Sequence, residues 1–266
     1  MGDEPMQPPR PNRRLGQCFL TNRQIAAAEA RYANGMNVVE MGPGRGMLTE
    51  ELCKVAKTVI AVEKDTALFN YLSSKMKQKN LNLMNADFFS IDESVFSKAD
   101  MMVANIPYNL SSKLVFWLAE KQMRAVICIQ KEFAERMSAQ PGSGNYSRLS
   151  VESALRFSMH KVMDVQAGNF FPKPKVDSSV IYLIPKRTNI GKEEDMIMRL
   201  LMEHSNKKLR NALADSSKEL GIGKQELRNL CDALETSDAR PFQLSPEELL
   251  ATAKRISALV SASRQV

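Results

Sequence analysis

The residues best equipped for chemistry are Asn105-Ile106-Pro107-Tyr108. They follow the apolar run Met101-Met102-Val103-Ala104 and precede a segment of helical spacing, Leu110 to Glu120. That places them at the carboxyl end of a strand, where open α/β sheets hold their ligands. An amide, a proline and an aromatic in that order suit one task. The amide and nearby backbone carbonyls can hold an exocyclic amine by its N–H groups, and the ring can stack on the base that carries it. The plain alternative is a strand-to-helix turn with an incidental tyrosine.

Three further positions bear on that choice. Asn37 to Met41 reads as a strand and ends in Gly42-Pro43-Gly44-Arg45-Gly46, a loop that lets a ligand come close to the backbone. Loops of this kind bind dinucleotides, phosphates or S-adenosylmethionine. The spacing is Gly-x-Gly-x-Gly rather than Gly-x-Gly-x-x-Gly, and the chain has no phosphate loop ending in Gly-Lys-Ser/Thr. Glu63 stands about 20 residues on, at the end of the next strand, where a carboxylate can accept both hydroxyls of a ribose. Asp87, just past the third strand, can accept the amino group of a bound adenine. Singly, Glu63 reads equally as a solvated charge, and Asp87 as the N-cap of the turn through Phe88-Phe89. Their agreement on successive strand ends is what favours a nucleoside-bearing cofactor. A dehydrogenase would need a proton-handling group, typically His or Lys, beside its hydride acceptor. The tetrapeptide offers acceptors and a ring instead. These suit methyl transfer, in which the amine nitrogen need only be held in line with a sulfonium methyl.

The elements that must position these residues alternate. After a helix opened by a Thr21…Gln24 capping box and running to about Ala33, the spacing predicts strands at 37–41, 58–62, 81–84, 101–104 and 124–129. Helices at 47–56, 66–79, 110–120 and 131–139 lie between and after them. Such alternation implies a doubly wound, parallel sheet. Residues 151–157 read as strand or mixed, 162–166 as a short β segment, and 176–184 as a strand that ends the sheet in an antiparallel pair. From about Asn189 the pattern is helical, with starts at Met196, Lys207, Lys224 and Ser245-Pro246-Glu247-Glu248. Residues 1–14 are proline-rich and basic and are expected to be flexible.

Composition narrows the class. Of 266 residues, Lys and Arg number 37 against 30 Asp and Glu, a net charge of +7 that favours an anionic partner, by default a nucleic acid. Cys18, Cys53, Cys128 and Cys231 show no paired spacing and the histidines are only His160 and His204, so neither a metal site nor a disulfide framework is expected. No apolar run is long enough to span a membrane, and the N-terminus has no signal-peptide core, so a soluble, cytoplasmic monomer is expected.

From Leu15 to Val260 the chain resembles the rRNA adenine N6-dimethyltransferases of bacteria, archaea and eukaryotes. Gly16-Gln17-Cys18-Phe19-Leu20, Glu40 to Thr49, Gln130 to Arg136, Tyr146 to Val151 and Phe171 to Ser178 all match family segments. Asn206-Lys207-Lys208-Leu209-Arg210-Asn211-Ala212-Leu213 is similar to the archaeal branch. The resemblance implies a mostly parallel, seven-stranded Rossmann-like methyltransferase sheet over residues 15–188 and an RNA-binding, all-helical domain over 189–266. It implies that Cys18, Leu20, Gly42, Gly44, Glu63, Asp87 and Asn105 line a site for S-adenosylmethionine. Asn105, Pro107, Tyr108 and Phe171 would hold a flipped adenine. Cys18 departs from the Asn or His usual there. The implied reaction is dimethylation of two adjacent adenosines near the 3′ end of small-subunit rRNA, in the immature subunit. Lys131, Arg136, Arg148, Lys173, Lys175, Lys207, Lys208 and Arg210 are the residues expected to meet RNA. An enzyme acting on large-subunit rRNA and a non-catalytic RNA- or DNA-binding protein on the same fold are the alternatives.

Overall fold

The structure is a computed structural model that describes residues 7–263. The first part of the expected flexible segment, residues 1–6, lies outside the described residues. Its remainder is held: after a stretch without regular structure, Arg13–Leu15 forms one 3-10 turn, and the Pro9 carbonyl accepts a hydrogen bond from Arg45 Nη2 at 3.0 Å.

The chain runs through β1 (Phe19–Leu20), α1 (Arg23–Ala30), β2 (Asn37–Met41), α2 (Met47–Val55), β3 (Thr58–Glu63), α3 (Thr66–Lys75), β4 (Leu81–Asn85), β5 (Met101–Asn105), α4 (Ser111–Glu120) and β6 (Arg124–Gln130). It continues through α5 (Lys131–Met137), α6 (Arg148–Arg156), β7 (Phe157–Val165), β8 (Phe170–Phe171) and β9 (Ser178–Pro185). The last elements are α7 (Lys192–Glu203), α8 (Leu209–Asp215), α9 (Ser217–Leu220), α10 (Lys224–Ala233) and α11 (Pro246–Ser263).

Seven strands form one sheet in the order β4-β3-β2-β5-β6-β9-β7. β2, β3, β4, β5 and β6 pair in parallel, and β9 runs antiparallel to β6. The expected doubly wound sheet with an antiparallel edge is therefore present. The winding reverses between β2 and β5, so the loops after these neighbours open at the topological switch point, where such sheets bind ligands. Residues 101–104 of β5 and 125–129 of β6 are buried, which is why they read as unbroken apolar runs. A two-stranded ladder, β1 with β8, was not foreseen; it pairs Phe19 with Phe171 and Leu20 with Phe170.

Two expectations about local structure are corrected. The cap of α1 is Asn22, whose Oδ1 accepts from the Gln24 and Ile25 amides, and not Thr21, whose hydroxyl donates to the Asn169 carbonyl. Residues 148–156 are helix. They bury Leu149, Ser150, Val151, Glu152, Ser153 and Leu155, and the helix stops where β7 begins at Phe157.

The chain has two compact units, residues 1–134 with 158–185, and residues 135–157 with 186–266. The boundary expected at 188 is thus incomplete, because 135–157 also belongs with the C-terminal helices. Tyr146, Val151 and Leu155 are buried in the same cluster as Leu200, Leu213, Leu249 and Ile256. Glu152 and Arg156 pair at 2.6 Å, Arg156 and Asp195 pair at the same distance, and Tyr146 donates to the Leu244 carbonyl at 2.9 Å. The Ser245 start of α11 is a reciprocal box: Glu248 accepts from the Ser245 amide and Ser245 from the Glu248 amide.

Candidate active site

A cavity of about 320 Å³ opens at the carboxyl ends of β2, β3 and β5, inside the sheet unit and large enough for a small ligand. Gly42 and Gly44 of its rim, and Gly46 behind them in the same loop, all have positive φ, which L side chains avoid. Gly44 and Gly46 are also spatially confined. A Cβ on Gly44 would lie 2.8 Å from the Phe19 ring, and one on Gly46 would lie 2.7 Å from Leu72. The loop is pinned to the next strand by Glu63: one carboxylate oxygen accepts from the Gly44 amide at 3.0 Å, the other from the Asp65 amide at 2.8 Å. Burial raises the Glu63 pKa, and these two amides partly offset it. Each oxygen keeps a lone pair for a hydroxyl.

Asp87 carries both of its readings at once. Its Oδ1 accepts from the Phe89 amide at 3.0 Å, capping the turn Phe88–Ser90, while Oδ2 pairs with Lys64 at 2.7 Å and lowers the acid's pKa. It still lines the cavity, as do Cys18, Leu20, Gly42, Gly44, Glu63, Asn105 and Pro107. Every residue that the resemblance assigned to the cofactor is therefore gathered round one space. Burial raises the Cys18 thiol pKa, so it is a neutral, weakly polar wall.

Asn105 ends β5 and also borders a smaller pocket with Gly16, Cys18, Ile106, Tyr108, Cys128 and Phe170. Its Nδ2 and Oδ1 are out of contact with solvent and have no hydrogen-bond partner among the described residues. A buried amide in that condition is costly unless a ligand or a neighbour completes it. Tyr108 is half-buried; its hydroxyl is 2.8 Å from Ser178 Oγ, and burial pushes its pKa up to about 12. It is a neutral ring whose far end is anchored.

The two phenylalanines before Pro172 differ. Phe170 is in the core, whereas Phe171 is 51% exposed and lines neither space. The Arg45 guanidinium lies 5.2 Å from the Phe171 ring and 4.9 Å from the Phe19 ring, stacking contacts typical of arginine.

The basic residues divide. Lys173 and Lys175 are exposed, with no ion pair among the described residues. Lys131 faces Asp164 at 3.5 Å, and Arg136 is half-buried. Arg148 joins the Glu152–Asp195 cluster, Lys207 pairs with Asp215 at 2.6 Å, and Lys208 and Arg210 both reach Asp238. These last four are partly neutralised by acids of their own unit.

Several residues of the site were not singled out from the sequence. Leu15 and Gln17 line the cavity, and Gln17 Nε2 donates to Asp65 at 3.1 Å. Phe88 and Phe89 line it too, and Lys113 Nζ sits 4.0 Å from the Phe89 ring centre. The aromatic pair after Asp87 was the available signal for an apolar ring slot. Glu29 and Glu40 are both buried, and burial raises each acid to about 8. No motif marks Glu29.

Comparison with known proteins agrees with this geometry. The family model for ribosomal RNA adenine dimethylases matches residues 10–228. The chain is 38% identical to a probable ribosomal RNA small subunit methyltransferase A of Thermococcus gammatolerans, over 91% of this chain and 87% of the relative. Against the protein of that name from Methanopyrus kandleri it is also 38% identical, over 93% and 92%. Among solved structures, a dimethyladenosine transferase from Plasmodium falciparum superposes with a TM-score of 0.77 at 29% identity, covering 91% of this chain and 98% of that one. The 23S rRNA methyltransferase ErmE gives 0.57 at 25% identity, covering 89% and 99%. The expected family, its archaeal affinity and the methyltransferase sheet are all borne out. This chain belongs to the ribosomal RNA adenine dimethylase family and is an rRNA adenine dimethyltransferase.

Proposed function

We propose that the protein uses S-adenosylmethionine to dimethylate the N6 amines of two adjacent adenosines near the 3′ end of small-subunit rRNA, in the immature subunit, as a cytoplasmic monomer. The observation that carries this reading is Asn105. It is a partnerless buried amide at the switch point, shared by the large cavity and the smaller pocket beside Tyr108.

The residues present fit the cofactor. Glu63 has acceptor capacity for a ribose diol, Asp87 for an adenine amino group, and Phe88 and Phe89 offer flat apolar faces. Gly42 and Gly44 keep the rim free of side chains, and Leu20 closes another wall. When bound, the cofactor supplies an electrophilic methyl on sulfonium sulfur. The chain's share is placement: Asn105 accepts the amine's hydrogens and turns the nitrogen lone pair toward the cavity, and Pro107 fixes the turn that presents Tyr108. Tyr108 and Phe171 offer faces for the base, and stacking of roughly 1–3 kcal/mol per base offsets much of the cost of unstacking it. A base on the Arg45 side of Phe171 takes the place of the guanidinium. Lys173 and Lys175 flank that ring and suit phosphate contact. The four free thiols suit a reducing compartment.

The test is incubation with methyl-labelled cofactor and either immature small subunits or large subunits, followed by mapping of the modified bases. Dimethyladenosine at two adjacent positions of small-subunit rRNA is expected. Asn105→Ala should abolish transfer while RNA binding falls much less. Label on large-subunit rRNA alone, or equal loss of binding and transfer in the variant, would overturn the reading.

A further inference from the structure

Glu29 has no part in the chemistry above, yet the fold brings it to the centre of it. It is 1% exposed on α1, and neither carboxyl oxygen has a hydrogen-bond partner among the described residues. α1 packs Ala26 and Ala30 into the cluster that holds Met101 and Val103 of β5 and Val126 and Cys128 of β6. Alternate strand residues share a face, so Asn105 continues the face of Met101 and Val103, with Cys128 as its register partner. On this face both side chains have buried polar atoms without another partner, and the Asn105 amide favours the ionised form of the Glu29 carboxyl although no full hydrogen bond joins them. Two buried polar groups that lack other partners complete each other.

We propose that Glu29 is a positioning residue for Asn105: its carboxyl takes the Nδ2 protons and leaves Oδ1 for the hydrogens of the amine to be methylated. This rests on the role given to Asn105 above. A carboxylate has only acceptors, so it can hold only the Nδ2 edge. A carboxylic acid has an O–H that can go to Oδ1 and compete with the substrate amine. The ionised form is therefore the productive one. Burial opposes ionisation most, and the Glu40 carboxyl facing it from β2 adds to that, so the acid persists to about pH 8. Cys128 faces it from β6, and its own thiol is held neutral mainly by burial and further by Glu29. Methyl transfer should accordingly rise with pH through this range.

The experiment uses the full chain with ¹⁵N-labelled asparagine, the Asn105 side-chain resonance being the one missing in Asn105→Ala. In the free wild-type protein that resonance should move with pH around 8, and in Glu29→Gln it should not. In turnover, Glu29→Gln keeps an acceptor, so kcat should stay near wild type but lose its rise with pH. Glu29→Leu keeps none, and kcat should drop roughly ten- to a hundred-fold while cofactor Kd stays unchanged. A resonance that ignores pH, one that titrates alike in Glu29→Gln, or a wild-type kcat in Glu29→Leu would each overturn the proposal. The spectrum is read without substrate, so those results would leave the role of Asn105 standing. Failure of the wild type to methylate rRNA would take down both.

Discussion

Asn105 and Phe171 illustrate two different ways a residue can be held ready for a ligand. Asn105 is sequestered with its Oδ1 unmatched, so a ligand amine gains a hydrogen bond that the free protein does not already make. Phe171 is exposed and backed by the β1–β8 ladder, so its ring is presented rather than packed. Removing an exposed ring leaves no cavity, and Phe171→Ala should change stability by no more than about 0.5 kcal/mol. Its KM for rRNA should rise roughly ten-fold while cofactor Kd stays put, as measured by steady-state kinetics and calorimetry. An unchanged KM would remove Phe171 from the base site. The tetrapeptide and the strand-end carboxylates were legible because each is a distinctive residue at a strand end. The contacts of Arg45, Gln17 and Lys113 were not, since each joins residues from different segments of the chain.

At the scale of elements, the glycine loop between β2 and α2 is the part most constrained by its surroundings. Gly44 has a left-handed φ, a phenylalanine ring where its Cβ would be, and an amide that anchors Glu63. Gly44→Ala should therefore cost at least about 1 kcal/mol of stability and weaken cofactor binding together with it, seen in thermal unfolding and calorimetric titration. Retained stability with weakened binding would show that the loop adapts and that the glycine serves the ligand alone. The helical segments show the reverse balance. α11 announced itself through its capping box, a purely local device. α6 did not: it packs Val151 and Leu155 into a core formed with residues from 186–266, a non-local arrangement.

Across the whole molecule, buried carboxyls set the response to pH. Glu29 and Glu40 hold their protons to about 8, against 4.5 for an exposed carboxyl. Between those values the folded chain keeps protons that the unfolded chain has released, so stability should fall as pH rises from about 4.5 to about 8 and level off above. Asp87 and Asp164, lowered by Lys64 and by Lys161 with Ser179, act in the opposite sense and only in more acid solution. Thermal unfolding at pH 5.5 and 8 should show the decline, and Glu29→Met should flatten it and be more stable at pH 8 by on the order of 1–3 kcal/mol. A melting temperature that rises over this range would mean that the two acids are ionised in the folded state.

The sequence by itself determined the alternation of strands and helices, the family, and the strand ends that gather round one cavity. All of these rest on local periodicity, turn chemistry or contiguous motifs. Tertiary structure alone decided that residues 135–157 join the C-terminal helices, that Arg45 lies against Phe171, and that α1 carries Glu29 into the core on the face of the sheet that Asn105 ends. Those facts come from segments far apart in the chain, brought together only when the elements close over a shared core. No window of sequence contains both partners.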